Sequence, residues 1–253
     1  MSELSKLLTS FGSRIQNYGY LLANPAYSKL RNGGGCGNLY RLLNNDWFPR
    51  QEIRTVLDVG ANEGQFIKTA LALMPDAAIY GFEPNPESVK KLEKTDWGSN
   101  KVNILPIACG SKKATLQLNV SKFSPSSSLL KMEQRHLDEF PGTETEKTIT
   151  VEVERLDHTV ASLRAVQSPF LLKIDVQGFE GEVLAGATGI FNETPVIVCE
   201  INIASLYEKQ CTFDFLIAFL SQHHYRLVDM GNPIRSRQTK EILFLDLAFK
   251  RDR

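Results

Sequence analysis

The stretch Thr55-Val56-Leu57-Asp58-Val59-Gly60-Ala61-Asn62-Glu63-Gly64-Gln65-Phe66 leaves the chain few folds to choose from. Val56, Leu57 and Val59 form a short aliphatic, β-branched run of the kind buried on both faces of a parallel sheet. The run stops at Gly60, and beyond Gly64 the apolar residues Phe66, Ile67, Ala70, Leu71 and Leu73 recur at helical spacing. Strand, glycine turn and helix in that order put the turn at the carboxyl end of a strand, where open α/β sheets bind ligands. The two glycines let the backbone approach a ligand without an intervening Cβ. The start of the helix adds free N–H groups.

The spacing and the next acid narrow the ligand. Asp-x-Gly-x-x-x-Gly lacks the middle glycine of the dinucleotide pattern G-x-G-x-x-G, and Glu63 stands where a phosphate would be repelled. A second strand, Ala78-Ile79-Tyr80-Gly81-Phe82, ends on Glu83, whose carboxylate can accept both hydroxyls of an adenosine ribose. Asp58 can meet a positively charged amino group. A ligand with a ribose, an amino-acid end and no phosphate fits these residues, which points to S-adenosylmethionine. Its expected contacts are Asp58, Gly60, Ala61, Asn62, Gly64, Phe66, Glu83 and Asn85, with Ala108 at the end of a third strand beside the adenine.

Strand and helix patterns alternate through Val102 to Cys109, with Pro86 placed to start a helix that runs to about Lys94. That alternation is the signature of a parallel sheet with helices on both faces. It breaks over residues 111–156, where two period-two runs, 115–120 and 149–153, read as half-exposed strands. Between them lie the serine-rich residues 124–128 and a polar segment holding His136. A connection this long is usually functional or disordered, and it reads here as an insertion covering the substrate. His136 reads first as an exposed side chain. Further strands end on Asp175 and Glu200, and residues 225–230 and 241–250 close the sheet as an antiparallel pair.

Ahead of this domain, which runs over residues 51–253, residues 1–50 form a helical extension. Leu4, Leu7, Leu8, Phe11, Ile15, Tyr18 and Leu22 repeat at helical spacing, and Asn38 to Asn44 suggests a second short helix. Asn32-Gly33-Gly34-Gly35-Cys36-Gly37 lacks a phosphate-binding lysine and reads as a hinge or linker. The 29 basic and 29 acidic residues cancel, so no global field draws the chain to nucleic acid. Four widely spaced cysteines without a C-x-x-C pair argue against zinc or a disulfide framework. With no apolar stretch of membrane-spanning length and no secretory signal, a reducing cytoplasm is the expected setting.

If the strands order as their connections suggest, Asp58, Glu83, Asp175 and Glu200 finish strands at one edge of the sheet. Buried acids there need cations or hydrogen-bond donors. Methyl transfer from a sulfonium is an in-line displacement in which positioning supplies much of the rate, and a hydroxyl acceptor also needs a base. Asp175 is the first candidate, followed by Glu180, Glu200 and His136. No metal is called for, although Asp175 and Glu200 could instead share a divalent ion.

With these residues in view, the chain resembles the FkbM family of S-adenosylmethionine-dependent methyltransferases. Three blocks carry the resemblance: Leu57 to Phe66; Phe82-Glu83-Pro84-Asn85-Pro86; and Lys173-Ile174-Asp175-Val176-Gln177-Gly178-Phe179-Glu180 with Val183-Leu184-Ala185-Gly186-Ala187. The serines before Leu129-Leu130 and Arg155-Leu156-Asp157 support it. The resemblance spans residues 54–205. It implies the class I methyltransferase fold, Rossmann-like, with a seven-stranded mostly parallel sheet whose last strand is antiparallel. It also implies O-methylation of a sugar, glycan or similar metabolite, with Asp58, Gly60, Asn62 and Glu83 at the cofactor and Asp175 beside the acceptor. Gln177 departs from the pattern, since many members carry an acid there. Residues 1–50 lie outside the resemblance and are where substrate choice or a homo-oligomer contact would be set. Two competing readings remain: a module that binds the cofactor without catalysis, motivated by Gln177, and a nicotinamide-dependent enzyme, opposed by the glycine spacing.

Overall fold

A computed structural model describes residues 24–98, 101–164 and 166–252; the helix expected over residues 4–22 lies outside the described residues. Two short helices, α1 (Pro25–Asn32) and α2 (Gly37–Leu43), precede the first strand. The glycine run between them is a packed turn rather than the hinge its composition suggests. Gly33 and Gly35 N–H groups donate to the carbonyls of Lys29 and Leu30 at 3.0 and 2.9 Å. Cys36 N–H donates to Thr69 Oγ1 at 2.9 Å and so docks the turn on the main domain.

β1 (Thr55–Val59), α3 (Gln65–Leu73), β2 (Ala78–Phe82), α4 (Pro86–Lys94) and β3 (Val102–Leu105) then alternate as the periodicity predicts. Asn85 caps α4 by accepting from Glu87 N–H at 3.1 Å, and Pro86 takes the first helical position, where its missing N–H costs nothing. The third strand is shorter than the apolar run 102–109. Pro106 has no N–H for the ladder and ends it. β4 (Ala108–Cys109) then leaves the main sheet for a second one, in which it pairs parallel with β6 (Thr145–Glu154), itself antiparallel to β5 (Ala114–Ser121). This second sheet is the insertion. Ser124–Ser126 and the helix α5 (Gln134–Glu139) lie in its long connection.

The chain returns through α6 (Leu156–Ser162), β7 (Phe170–Ile174), α7 (Glu180–Ala185), β8 (Val196–Asn202) and α8 (Phe213–Gln222). It ends with β9 (Tyr225–Met230), β10 (Ile234–Arg235) and β11 (Ile242–Arg251). The main sheet has the order β3-β2-β1-β7-β8-β11, parallel as far as β8, with β11 antiparallel to β8, β9 and β10. The expected seven strands are there, and the two-residue β10 brings the sheet to eight.

The central strands β1 and β7 are buried at every position, as their largely aliphatic sequences favour, with Asp58 and Lys173 the charged exceptions. Leu57, Leu172, Ile174 and Ile197 face α6, α7 and α8 in one core. Val56, Leu171 and Val198 face α3 in another, and Leu39, Leu42 and Leu43 of α2 extend that second core. Residues that precede the main sheet are thus part of its packing. No helix among the described residues is long and apolar enough to cross a membrane.

Candidate active site

At the carboxyl ends of β1, β2 and β7 lies a cavity of about 280 Å³. The turn after β1 forms its floor. Gly60 has φ +82°, and a Cβ there would lie 1.9 Å from the Asp175 carbonyl oxygen. Glycine alone lets the ends of β1 and β7 pass so closely. Asn62 follows in the left-handed region at φ 46°, which asparagine tolerates better than most side chains. That conformation aims Asn62 N–H at Glu83 Oε2, 2.8 Å away, while Asn85 N–H donates to Oε1 at 2.8 Å. Two main-chain donors therefore fix the Glu83 carboxylate, and each of its oxygens keeps a further acceptor direction. Burial pushes Glu83 up to about 7 against the pull of those two N–H groups.

The insertion forms the roof, through Leu118, Leu129 and residues of the 124–128 run. Ser124 Oγ donates to Asn62 Oδ1 at 2.6 Å and so fastens the roof to the floor. Cys36 and Leu39 close one side. Their proximity could not be read from the sequence, because it depends on how the N-terminal turn docks against α3.

Lys173 holds the two strand ends together. It lies opposite Asp58 in the β1–β7 register and is buried, as is Asp58. Its Nζ is 3.3 Å from Asp58 Oδ1, 3.3 Å from Asp175 Oδ2 and 3.4 Å from the Gly60 carbonyl oxygen. Burial pulls the lysine down, but the surrounding carboxylates, led by Asp175 and Asp58, outweigh it and keep the ammonium charged. Burial raises Asp58, and Lys173 opposes that rise. The cation expected for Asp58 is thus the chain's own lysine, and Asp58 sits behind the cavity wall. The signal was present in the sequence: a lysine inside the aliphatic strand Phe170-Leu171-Leu172-Lys173-Ile174 is rarely buried without a partner.

Asp175 faces the cavity, with its side chain 30% exposed. Its Oδ1 accepts from Gln177 Nε2 at 2.8 Å, and the same amide nitrogen donates to Glu200 Oε1 at 2.6 Å. The place a shared divalent ion would take between Asp175 and Glu200 is occupied by this amide, and no group of three metal-ligating side chains occurs among the described residues. Glu200 stands back from the cavity wall opposite Asp246 in the β8–β11 register. Burial, with Asp175 and Asp246 beside it, raises Glu200 well above the usual carboxylate range. Asp246 is pushed up to about 7 by burial and by Asp175.

Of the expected site residues, Gly60, Ala61, Asn62, Phe66, Glu83, Asn85, Ala108 and Asp175 line the cavity. The four strand-end acids do not share one crevice: Glu83 and Asp175 reach it, while Asp58 and Glu200 lie a layer behind. Gly64, at φ +83°, turns the chain into α3 and packs near Trp97 instead. Glu180 is buried, and its Oε1 accepts from Gly178 N–H at 2.8 Å and Val176 N–H at 3.3 Å, so it braces the loop after β7. His136 is not exposed. It is buried in the insertion against Phe140 and Tyr207, ring centroids 5.2 and 5.0 Å away, outside the cavity wall.

Among known proteins, the chain is similar to 2-O-methyltransferase NoeI of Sinorhizobium fredii, 27% identical over 61% of this chain and 66% of that protein. It is also similar to hexuronic acid methyltransferase AglP of Haloferax volcanii, 29% identical over 69% of this chain and 65% of that protein. It therefore spans slightly less than two thirds of the length of either relative. Among solved structures, precorrin-6y C5,15-methyltransferase from Geobacter metallireducens aligns with a TM-score of 0.40 at 15% identity, over 80% of this chain and 81% of that one. A family model matches residues 58–227, from the end of β1 into β9, and by that match the chain belongs to the FkbM methyltransferase domain family.

Proposed function

We propose that this chain is an O-methyltransferase that takes its methyl group from S-adenosylmethionine and places it on a hydroxyl of a sugar, glycan or similar small metabolite. The observation that carries this reading is one cavity with Glu83 fixed by two main-chain N–H groups at the end of β2 and Asp175 held at the end of β7, on the other side of β1. The cavity residues suit the cofactor. Glu83 has acceptor directions left for two ribose hydroxyls, Ala108 and Phe82 offer an apolar wall, and the Gly60 turn admits close approach. When bound, S-adenosylmethionine supplies an electrophilic methyl group.

The chain's own residues supply binding, orientation and a proton acceptor. Asp175 receives the acceptor hydroxyl's proton on a carboxylate oxygen. Lys173 and Gln177 hold that carboxylate from two sides. The roof of the insertion covers part of the cavity and so limits water around these contacts. Cys36 and Leu39 put the extension before residue 51 on the cavity wall, where it takes part in choosing the acceptor. The printed names of the two relatives, a 2-O-methyltransferase and a hexuronic acid methyltransferase, support a carbohydrate as that acceptor.

The test is thermal unfolding with S-adenosylhomocysteine, with NAD in parallel. Ligand at about 100 times its dissociation constant stabilises by about 2.7 kcal/mol, a rise of roughly 5–10 °C at this size. A rise with the homocysteine compound alone is expected, followed by labelled methyl transfer to a panel of methyl glycosides. A rise with NAD alone would overturn the assignment.

A further inference from the structure

Gln177 occupies an unusual position. It is a non-glycine residue at φ 56°, a left-handed conformation that costs an ordinary side chain roughly 1–2 kcal/mol. Something in the fold has to hold it there. Three side-chain hydrogen bonds do so. Nε2 donates to Asp175 Oδ1 at 2.8 Å and Glu200 Oε1 at 2.6 Å, and Oε1 accepts from Tyr207 Oη at 3.0 Å. The chemistry of the neighbours sets the orientation of the amide, because two carboxylate oxygens accept on one side and a hydroxyl donates on the other.

The same residue also touches the roof. Its main-chain carbonyl accepts from Ser128 Oγ at 2.8 Å, and Tyr207 Oη, bonded to its side chain, also lies 3.0 Å from the Ser126 carbonyl oxygen. One residue thus meets the acid at the end of β7 and the acid on β8 through its side chain, and the covering insertion through its main-chain carbonyl and Tyr207. Only glutamine does all of this. Glutamate has no N–H to give two carboxylates, and asparagine is one carbon too short to reach them.

We propose that Gln177 is a positioning residue that aims Asp175 at the acceptor and couples that aim to the seating of the insertion. This rests on the reading of Asp175 as the base. It also accounts for the departure from an acid at this position. A carboxylate here would stand within hydrogen-bond distance of two other acids, whereas the amide joins them without adding charge.

The test uses the full chain saturated with S-adenosylhomocysteine and carrying aspartate labelled with ¹³C at the side-chain carboxyl. The Asp175 resonance is the one that vanishes in D175N. In Q177E its titration midpoint is expected to move up by about one pH unit or more, because a like charge beside a carboxylate disfavours ionisation. Q177N keeps a side chain suited to the left-handed backbone but not the bridge, and should move the midpoint by less. Affinity for S-adenosylhomocysteine should stay within about threefold in both, since neither touches the Glu83 end of the cavity. A resonance that titrates identically in all three proteins would overturn the proposal, as a bracing role alone predicts. On a methyl glycoside that is turned over, Q177N should lower kcat by roughly 10- to 100-fold with little change in cofactor KM. D175N separates the two readings. If D175N stays active, the base assignment fails; if D175N is dead while Q177N and Q177E keep parental kcat and pH profile, only the role of Gln177 fails.

Discussion

Replacing Lys173 by methionine preserves most of the side chain's length and apolar stem while deleting its charge. The structure sets the size of the effect. Asp58 is fully buried, and among the described residues its one cation is Lys173 at 3.3 Å; Asp175, the ammonium's other acid, keeps contact with water. The cost therefore falls mainly on Asp58. Removing one partner of a buried pair typically costs about 3–5 kcal/mol, because the other charge stays buried and uncompensated. At roughly 2–4 °C per kcal/mol for a chain of this size, the melting midpoint should drop by about 6–20 °C. Asp58 can relieve the penalty by taking a proton. Burial already raises it above its ordinary value of 3.8, and losing Lys173 raises it further. The native state then holds more protons than the unfolded one between the unfolded value and the raised native value, so stability falls as pH rises through that window. Urea unfolding of K173M at several pH values should show the largest loss near pH 8 and a smaller one near pH 5. The double variant K173M/D58N should recover most of the difference. A loss below about 1 kcal/mol at pH 8, or no recovery in the double variant, would refute the view that this pair is a closed charge unit inside the sheet.

Two further expectations concern titrating groups. Glu83→Gln should weaken binding of S-adenosylhomocysteine by roughly 10- to 100-fold, since hydrogen bonds to a charged group contribute about 1.5–3 kcal/mol. Glu83 is pushed up to about 7, so calorimetry on the parent should show affinity rising from pH 6 to pH 8. The glutamine variant should lack that slope, and a parent with no slope would remove Glu83 from the ribose. His136 is lowered to about 4 by burial, below its unfolded value of about 6.5. The neutral imidazole is favoured in the folded state, and its contribution is lost as pH falls through that interval. His136→Phe should therefore lose less stability than the parent between pH 7 and pH 4.5 in urea unfolding, and equal losses would show that the histidine is not a source of acid sensitivity.

Much of the fold was legible because the central strands and their helices each carry a pattern of their own. The largely aliphatic runs at Val56 to Val59 and Phe170 to Ile174 read as buried strands, and the helix after Gly64 repeats its apolar face plainly. Gly60, Asn62, Glu83 and Asn85 were legible for the same reason, since each is tied to a strand end. What escaped was set by contacts distant in sequence. Cys36 and Leu39 reach the cavity only because the glycine turn docks on Thr69 and Gln65. His136 offers no sign of burial in a polar segment, because the rings of Tyr207 and Phe140 that cover it come from other parts of the chain and its own helix. The pairing of Asp58 with Lys173 depends on strand register, which a linear reading does not give. The end of the third strand at Pro106 was readable in principle, as a proline in an otherwise strand-like run argues against continuing the ladder.

That early end at Pro106 bears on how such a fold can be re-engineered or diversify. The residues that leave the main sheet there become the first strand of the roof's own sheet, with Ala108 paired to Val153 and Cys109 to Glu154. The roof is therefore joined to the floor beside Ala108 by continuous chain. A chimera that swaps only residues 114–154 would keep the parent's β4 and require the incoming β6 to match it. Moving the cassette from Ala108 onward would carry the matching pair together, at the cost of importing one wall of the cavity. Within this architecture a change of roof and a change in this cavity wall are inherited as one module.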